Sequence, residues 1–229
     1  IETPKSIVGA WAQNDWEVSS RLTLNLGVRW DLETGATAEE LGLPPFVPTN
    51  RPYDTNNVAP RFGGAFSLDE RTVVRGGWGM FFESIDASIS NRFRLFQIQS
   101  ATSVQNGGRS DFTANPFNGP PPTRAQVIAQ GLPVDYPSSM VSSTFQFPFS
   151  YQGTIGVQRQ LGNTMSVQAD YVWTGNKHQN TGSRNGNMTL NPATGANFPY
   201  NDRSRRLYPD QFGVVNIRYS DDYANYHGL

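Results

Sequence analysis

The chain has 229 residues, 18 basic and 19 acidic side chains, a formal net charge of −1, 37% hydrophobic and 12% aromatic residues, 22 Gly, 16 Pro and no Cys. The charge balance gives no global basis for binding nucleic acid, the lack of Cys removes disulfides, thiolate metal sites and cysteine nucleophiles, and the aromatic content argues against disorder. No apolar run approaches the roughly 18 residues of a membrane helix, yet barrel strands are only about 9–11 residues long and alternate in polarity, so a mean hydropathy of −0.51 leaves a transmembrane barrel open.

In chain order, residues 7–17 look extended with ambiguous facing, and Val18-Ser19-Ser20-Arg21 reads as a tight turn. From 21 to 33, Leu22, Leu24, Leu26, Val28, Trp30 and Leu32 share one parity, and Thr23, Asn25, Gly27, Arg29, Asp31 and Glu33 the other. A 3.6-residue repeat would mix the two sets within a turn, so this is a strand with one apolar and one polar face. Residues 60–68 set Phe62, Gly64, Phe66 and Leu68 against Arg61, Gly63, Ala65 and Ser67. After a turn at Asp69-Glu70, the segment from 71 sets Thr72, Val74, Gly76, Trp78, Met80 and Phe82 against a mixed face bearing Arg75 and Glu83. Residues 151–161 place Tyr151, Gly153, Ile155, Val157 and Leu161 opposite Gln152, Thr154, Gly156, Gln158 and Gln160; Arg159 interrupts the apolar face near the strand end, where a long side chain can snorkel. Beyond Gly162-Asn163, the segment 164–174 sets Met165, Val167, Ala169, Tyr171 and Trp173 against Ser166, Gln168, Asp170, Val172 and Thr174. Residues 212–219 are again extended with ambiguous facing.

The hairpins near 7–33, 60–83 and 150–174 thus close through tight turns, whereas the connectors 34–58, 84–149 and 175–211 are all long. Strict alternation of short and long connections suits an outer-membrane barrel, with short periplasmic turns and long extracellular loops, better than a soluble sandwich. Trp30, Phe82, Tyr151 and Trp173 fall at the strand ends facing the long loops and Trp16 beside the first tight turn, the placement of two interfacial girdles.

WAQNDWEVSSRLTLNLGVRWDLET resembles a characteristic stretch of TonB-dependent outer-membrane receptors, in which an aromatic-x-Q-x-D-W strand, a short turn and an LTLNLGLRY strand follow one another. NNVAPRFGGAFSLDERTVVRGGWGMFFE resembles the next hairpin of the Oar-like branch, which carries a carboxypeptidase-regulatory-like domain before its plug. FSYQGTIGVQRQLGNTMSVQADYVWTGNKH resembles the hairpin after that, and the terminal YANYHGL the start of a further strand. The resemblance implies an all-β, antiparallel transmembrane barrel of about 22 strands around a plug, in the outer membrane of a Gram-negative bacterium, importing a bulky solute with energy supplied by the TonB complex. No plug, TonB box, signal peptide or closing strand is recognised within the 229 residues, so the expected object is a middle section of wall whose partners are the rest of the barrel, the plug and outer-membrane lipid. A structural or adhesive subunit that completes its sheet with other chains is the alternative, and a soluble sandwich lectin a third reading.

Chemistry-bearing residues are sparse. His178 and His227 lack metal-ligand spacing, Asp221-Asp222 with Asn225 lacks the Gly and distal Glu of a calcium loop, and no GxSxG elbow occurs, so neither metal, cofactor nor enzymatic activity is expected. Gly76-Gly77-Trp78-Gly79 lies on a strand rather than at a strand-to-helix turn, which points to close backbone approach instead of phosphate binding. Arg29, Arg75, Glu83, Gln158, Gln168 and Asp170, with Asn25, are expected to line the lumen, and Leu24, Leu26, Val28, Trp78, Val157, Val167 and Tyr171 to face lipid. Phe93, Phe96, Phe112, Phe117, Tyr136, Phe145, Phe147, Phe198, Tyr200 and Tyr208 in the long connectors suit either solute capture or loops packed on themselves. Arg203, Arg205 and Arg206 form the basic cluster suited to lipopolysaccharide phosphates.

Overall fold

The computed structural model describes residues 4–86, 90–91, 94–95, 101, 106–130, 134–180, 182–199 and 202–229. Its main body is a seven-stranded antiparallel sheet, the wall, built from β1 (Ser6–Ser19), β2 (Leu22–Thr34), β3 (Asn57–Asp69), β4 (Thr72–Phe82), β6 (Phe149–Leu161), β7 (Met165–Gln179) and β12 (Asp222–Gly228) in that spatial order. Chain order and spatial order coincide once the excursions between them are set aside, so every neighbouring pair is antiparallel. β7 alone has 15 residues, a length of roughly 50 Å at about 3.4 Å per residue. That exceeds the apolar band of about 25 Å expected of a membrane barrel even after tilting, so β7 is long enough to project beyond such a band.

Turn chemistry fixes the short rim. The Asp69 carboxylate accepts the Arg71 N–H at 2.8 Å and the Thr72 hydroxyl at 3.1 Å, Ser19 Oγ accepts the Arg21 N–H at 3.3 Å, and Gly162 adopts φ 65°. Bulges between Glu17 and Ser19 and between Ser67 and Asp69 bend the strands into these turns.

The long connectors are not structureless, which corrects the sequence reading of them as loops alone. Val134–Val141 (β5) pairs in parallel with Phe212–Arg218 (β11), which pairs antiparallel with Ser183–Asn185 (β8), and Leu190–Asn191 (β9) pairs with Ala196–Asn197 (β10). A short helix, α1 (Arg124–Ala129), starts at a capping box in which Thr123 and Gln126 exchange hydrogen bonds. Val47, Val127, Val134, Tyr136, Met140, Val215 and Ile217 bury themselves together, drawing the connectors 34–58 and 84–149 and the stretch 212–219 that follows the third into one core. The extended stretch 212–219 therefore belongs to this cap, and the wall continues instead through 222–228. A second cluster, Ala36, Ile85, Val141 and Phe147 with Phe82 and Phe145, seats the cap on the end of the wall.

Candidate functional site: the polar face of the wall

Register divides the wall into two faces. Leu26 pairs with Phe62, Phe62 with Trp78, Trp78 with Gly153 and Gly153 with Trp173, so the apolar parity of each strand falls on one side. Leu24, Val28, Val157, Val167 and Tyr171 share it. Phe62 is 54% exposed, Ile155 59% and Met165 65%, so no described part of the chain covers this face, and an apolar surface of that extent marks an interaction with lipid or another apolar body. The wall strand left ambiguous by its pattern, β1, puts Val8, Ala10, Ala12, Asn14 and Trp16 on the apolar side and Ile7, Trp11 and Gln13 on the other. Ile7 and Trp11 on the polar side are what blurred its alternation.

Trp16, Trp30, Phe82, Tyr151 and Trp173 all lie on the apolar face by register. Phe62, Trp78, Tyr151 and Trp173 form a continuous ribbon of stacked rings with centroid separations of 5.5, 5.5 and 6.4 Å. Phe149 joins Phe82 at 5.4 Å and Tyr151 at 5.1 Å, extending the ribbon to the cap, and the Trp30 indole N–H donates to the Thr55 carbonyl at 2.8 Å.

On the opposite face the charges are mostly paired along and across strands. Arg29 donates to Asp31 at 2.8 Å, Asn25 donates to Asp15 at 2.8 Å, and Arg75 meets Asp170 at 3.2 Å across the width of β6. Gln168 also donates to Asp170, Gln158 stands beside it in register, and Glu83 lies just past β4 with its backbone N–H on the Pro148 carbonyl. Arg29, Arg75, Gln158, Gln168 and Asp170 share one face of the wall by register, and of these Arg75, Asp170 and Gln168 form a single hydrogen-bonded group. A groove of about 590 Å³ runs over this face, floored by Gly27, Gly63, Gly77 and Gly79 and edged by Gln13, Asn25, Arg61, Phe81, Gln152 and Thr174. A Cβ at Gly79 would lie 2.9 Å from the Phe81 ring and 3.2 Å from Arg61 Cγ, and one at Gly77 3.3 Å from the Phe62 carbonyl oxygen, so these glycines admit the close approach of a neighbouring strand and its side chains.

The cap holds buried polar residues that the sequence pattern did not reveal. Asn187, fully buried, donates to the Phe212, Gly213 and Tyr208 carbonyls at 2.7, 2.9 and 3.3 Å and accepts the Tyr208 N–H at 2.9 Å. Arg51 donates to the carbonyls of Leu41, Thr37 and Ala38 at 2.7, 2.8 and 3.2 Å; burial lowers its pKa, opposed by Glu39 and Glu40. Both residues sit in Asn/Gly/Pro-rich stretches that read as ordinary turns, and only the tertiary fold converges the carbonyls on them.

Other sequence candidates are dispersed. Arg206 is buried, Arg203 is exposed, and Arg205 lies over the Phe198 ring at 4.9 Å, so the basic run does not present three charges together. Tyr136 and Phe147 are core residues, Phe112, Phe145 and Phe198 are half-buried, and Phe117 and Tyr208 are exposed; Phe93, Phe96 and Tyr200 lie outside the described residues. The described loop aromatics therefore mostly pack within the cap. His178 Nδ1 contacts the Ser220 carbonyl at 3.0 Å, His227 Nδ1 the Tyr171 hydroxyl at 2.6 Å, and Asp221 pairs with Arg184 at 2.7 Å. That hydrogen bond from Arg184 holds the Asp221 carboxyl below the ordinary carboxylate range. Among the described residues no group of three or more His, Asp or Glu is placed to hold a metal ion.

The siderophore receptor PirA from Pseudomonas aeruginosa is similar to this chain at 14% identity and a TM-score of 0.49, over 98% of this chain and 30% of the receptor. The siderophore receptor PirA from Acinetobacter baumannii is similar at 13% identity and a TM-score of 0.49, over 98% of this chain and 24% of that one. The chain thus spans less than a third of the length of either. No curated protein matches it. The family model described as an outer membrane beta barrel domain matches residues 3–229, almost the whole chain, and the protein belongs to that outer-membrane family.

Proposed function

We propose that the chain is a section of the barrel wall of a TonB-dependent receptor of the Oar-like branch, one that imports a bulky solute across the outer membrane and has no enzymatic role. The observation that carries this reading is the two-faced wall with tight turns at one rim and a folded cap made from all three long connectors at the other. In this reading the apolar face meets lipid, Trp30, Phe82, Tyr151 and Trp173 mark one interface and Trp16 the other, and the groove with Arg29, Arg75, Glu83, Gln158, Gln168 and Asp170 faces a plug in the lumen. Arg203 and Arg205 remain exposed for lipopolysaccharide phosphates, whereas buried Arg206 supports the cap.

The reading is tested genetically and by transport. The complete gene should encode a regulatory-like domain, a plug with its TonB box, and enough further strands to close the barrel. Cells expressing it should take up its solute in a TonB-proficient strain and lose uptake in a TonB-deficient one. Equal uptake in the two strains would refute energised import.

A second reading draws on the free edges of the wall. Among the described residues β1 has no partner on its outer side, every residue of it is exposed, and β12 is similarly open on its far side. Unpaired backbone groups in hydrocarbon cost several kcal/mol each, so both edges demand further strands. If those strands come from other chains, the protein is a structural or adhesive subunit. Cross-linking cysteines introduced along β1 and β12 separates the readings, since intramolecular links support a receptor and intermolecular links a subunit.

A further inference from the structure

One register row of the polar face reads Gln13, Gly27, Arg61, Gly79, Gln152, Thr174 from β1 across to β7. Arg61 therefore has a glycine on either side, and its nearest same-row side chains are amides two strands away. With strands about 4.8 Å apart, the backbones on either side of each glycine lie roughly 10 Å apart; the space above Gly79 is taken by the Phe81 ring and the Arg61 stem, and that above Gly27 is bordered by the Gln13 side chain. The same device appears at Arg75, where Gly156 separates it from Asp170 and the carboxylate fills the gap. Beside Arg61 no carboxylate does so.

The guanidinium of Arg61 rests over the Phe81 ring, 4.4 Å from its centroid, and makes neither an ion pair nor a hydrogen bond to another described residue. Stacking occupies a flat face and leaves the planar fork of N–H donors free for an acceptor. The surrounding carboxylates are committed elsewhere: Asp31 to Arg29, Asp15 to Asn25, Asp170 to Arg75 and Glu33 to Lys5. Glu83, on the same face beyond Phe81, forms no ion pair with Arg61 among the described residues. Gln152 uses an amide hydrogen on Ser150 at 3.2 Å, and its second amide hydrogen makes no bond to a described residue.

We propose that Arg61 anchors a carboxylate-binding site in this groove, the guanidinium taking the carboxylate oxygens and the flanking amides of Gln13 and Gln152 completing its hydrogen bonds. This assignment rests on reading the polar face as the lumen side. A carboxylate suits the site better than a phosphate dianion, because a single cation among neutral amides matches one negative charge, and the guanidinium fork matches a planar acceptor pair. The carboxylate comes either from an acidic side chain of polypeptide filling the lumen or from a solute entering it.

Outer membranes from cells carrying the whole protein are treated with phenylglyoxal, and modification of Arg61 is followed by peptide mass spectrometry with and without tricarballylate, with sulfate as the anion control. If a solute carboxylate is the ligand, Arg61 reacts freely alone and is slowed about tenfold by tricarballylate at about ten times its Kd, with no such effect of sulfate. If the ligand is an acidic side chain, Arg61 is protected before any addition, and Arg61→Gln lowers the thermal unfolding midpoint while Arg61→Lys largely restores it. Two results overturn the proposal: free reaction of Arg61 unaffected by tricarballylate, or prior protection with Gln and Lys variants equally stable. None of these readouts requires transport, so a protein that shows either pattern but no TonB-dependent uptake keeps the site and loses the receptor reading.

Discussion

Arg75 and Asp170 stand on strands two apart, and their ion pair closes at 3.2 Å across Gly156 of the strand between them. A Cβ at Gly156 would lie 2.0 Å from Asp170 Oδ1 and 3.1 Å from the Ala169 carbonyl oxygen. The carboxylate can swing away, the backbone cannot, so an added methyl displaces the pair first. Gly156→Ala is expected to cost about 1–3 kcal/mol as overpacking, of which about 0.2–1 kcal/mol is the lost exposed pair. Denaturant unfolding of the barrel in vesicles, as a double-mutant cycle with Asp170→Asn, checks this: the glycine substitution should cost less when the carboxylate is already gone, and equal costs in both backgrounds would contradict the geometry.

The facing of the wall predicts opposite responses from adjacent residues. Leu26 lies near mid-strand on the apolar face and Asn25 on the polar face, where it donates to Asp15. Leu26→Arg should cost about 2–4 kcal/mol if it meets hydrocarbon, falling toward zero for the same change near a girdle, whereas Asn25→Arg should cost little. Nitroxide labels at the two sites should differ in accessibility to a lipid-soluble relaxation agent. Equal accessibility would be incompatible with a membrane-spanning wall.

The wall was legible because its information is local: each strand writes its two faces in alternate residues, as in Leu22 to Leu32 against Thr23 to Glu33. β1 was harder, since Ile7 and Trp11 sit on the polar side and spoil the period. Of the cap only the extended stretch 212–219 was legible. Val47, Val127, Met140 and Val215 meet from connectors far apart in sequence, and the parallel pairing of β5 with β11 joins segments that no turn motif links. The same applies to Arg61, whose lack of an ion pair among the described residues goes with Gly27 and Gly79 on neighbouring strands rather than with its own surroundings in the chain.

Asn187 should be the residue on which the cap is most sensitive to a single change. Its amide satisfies three backbone carbonyls and one N–H while buried. Asn187→Leu keeps the size and removes every bond of the side chain; only the bond to the Gly213 carbonyl is fully buried and the other three are partly so, and with a buried unsatisfied group costing about 1–3 kcal/mol and a partly solvated one less, a loss of roughly 2–4 kcal/mol is expected. Hydrogen exchange should rise across 183–218 with the strands of the wall unchanged. Uniform exchange across both regions would mean that cap and wall unfold as one unit.

The Arg184–Asp221 pair ties β8 to the segment leading into β12, and it supplies a pH dependence with a defined sign. The hydrogen bond and charge of Arg184 depress the Asp221 pKa when folded. A carboxyl depressed in the folded state contributes stability above its unfolded pKa and loses it as pH falls through the folded value. The pair is therefore intact at neutral pH, and acidification below the ordinary carboxylate range should release it, with high salt weakening it as expected for exposed charges. An NMR titration of the Asp221 carboxyl should show a midpoint below that of an unperturbed aspartate, returning toward it in Arg184→Ala. An unchanged midpoint in that variant would place the cause elsewhere.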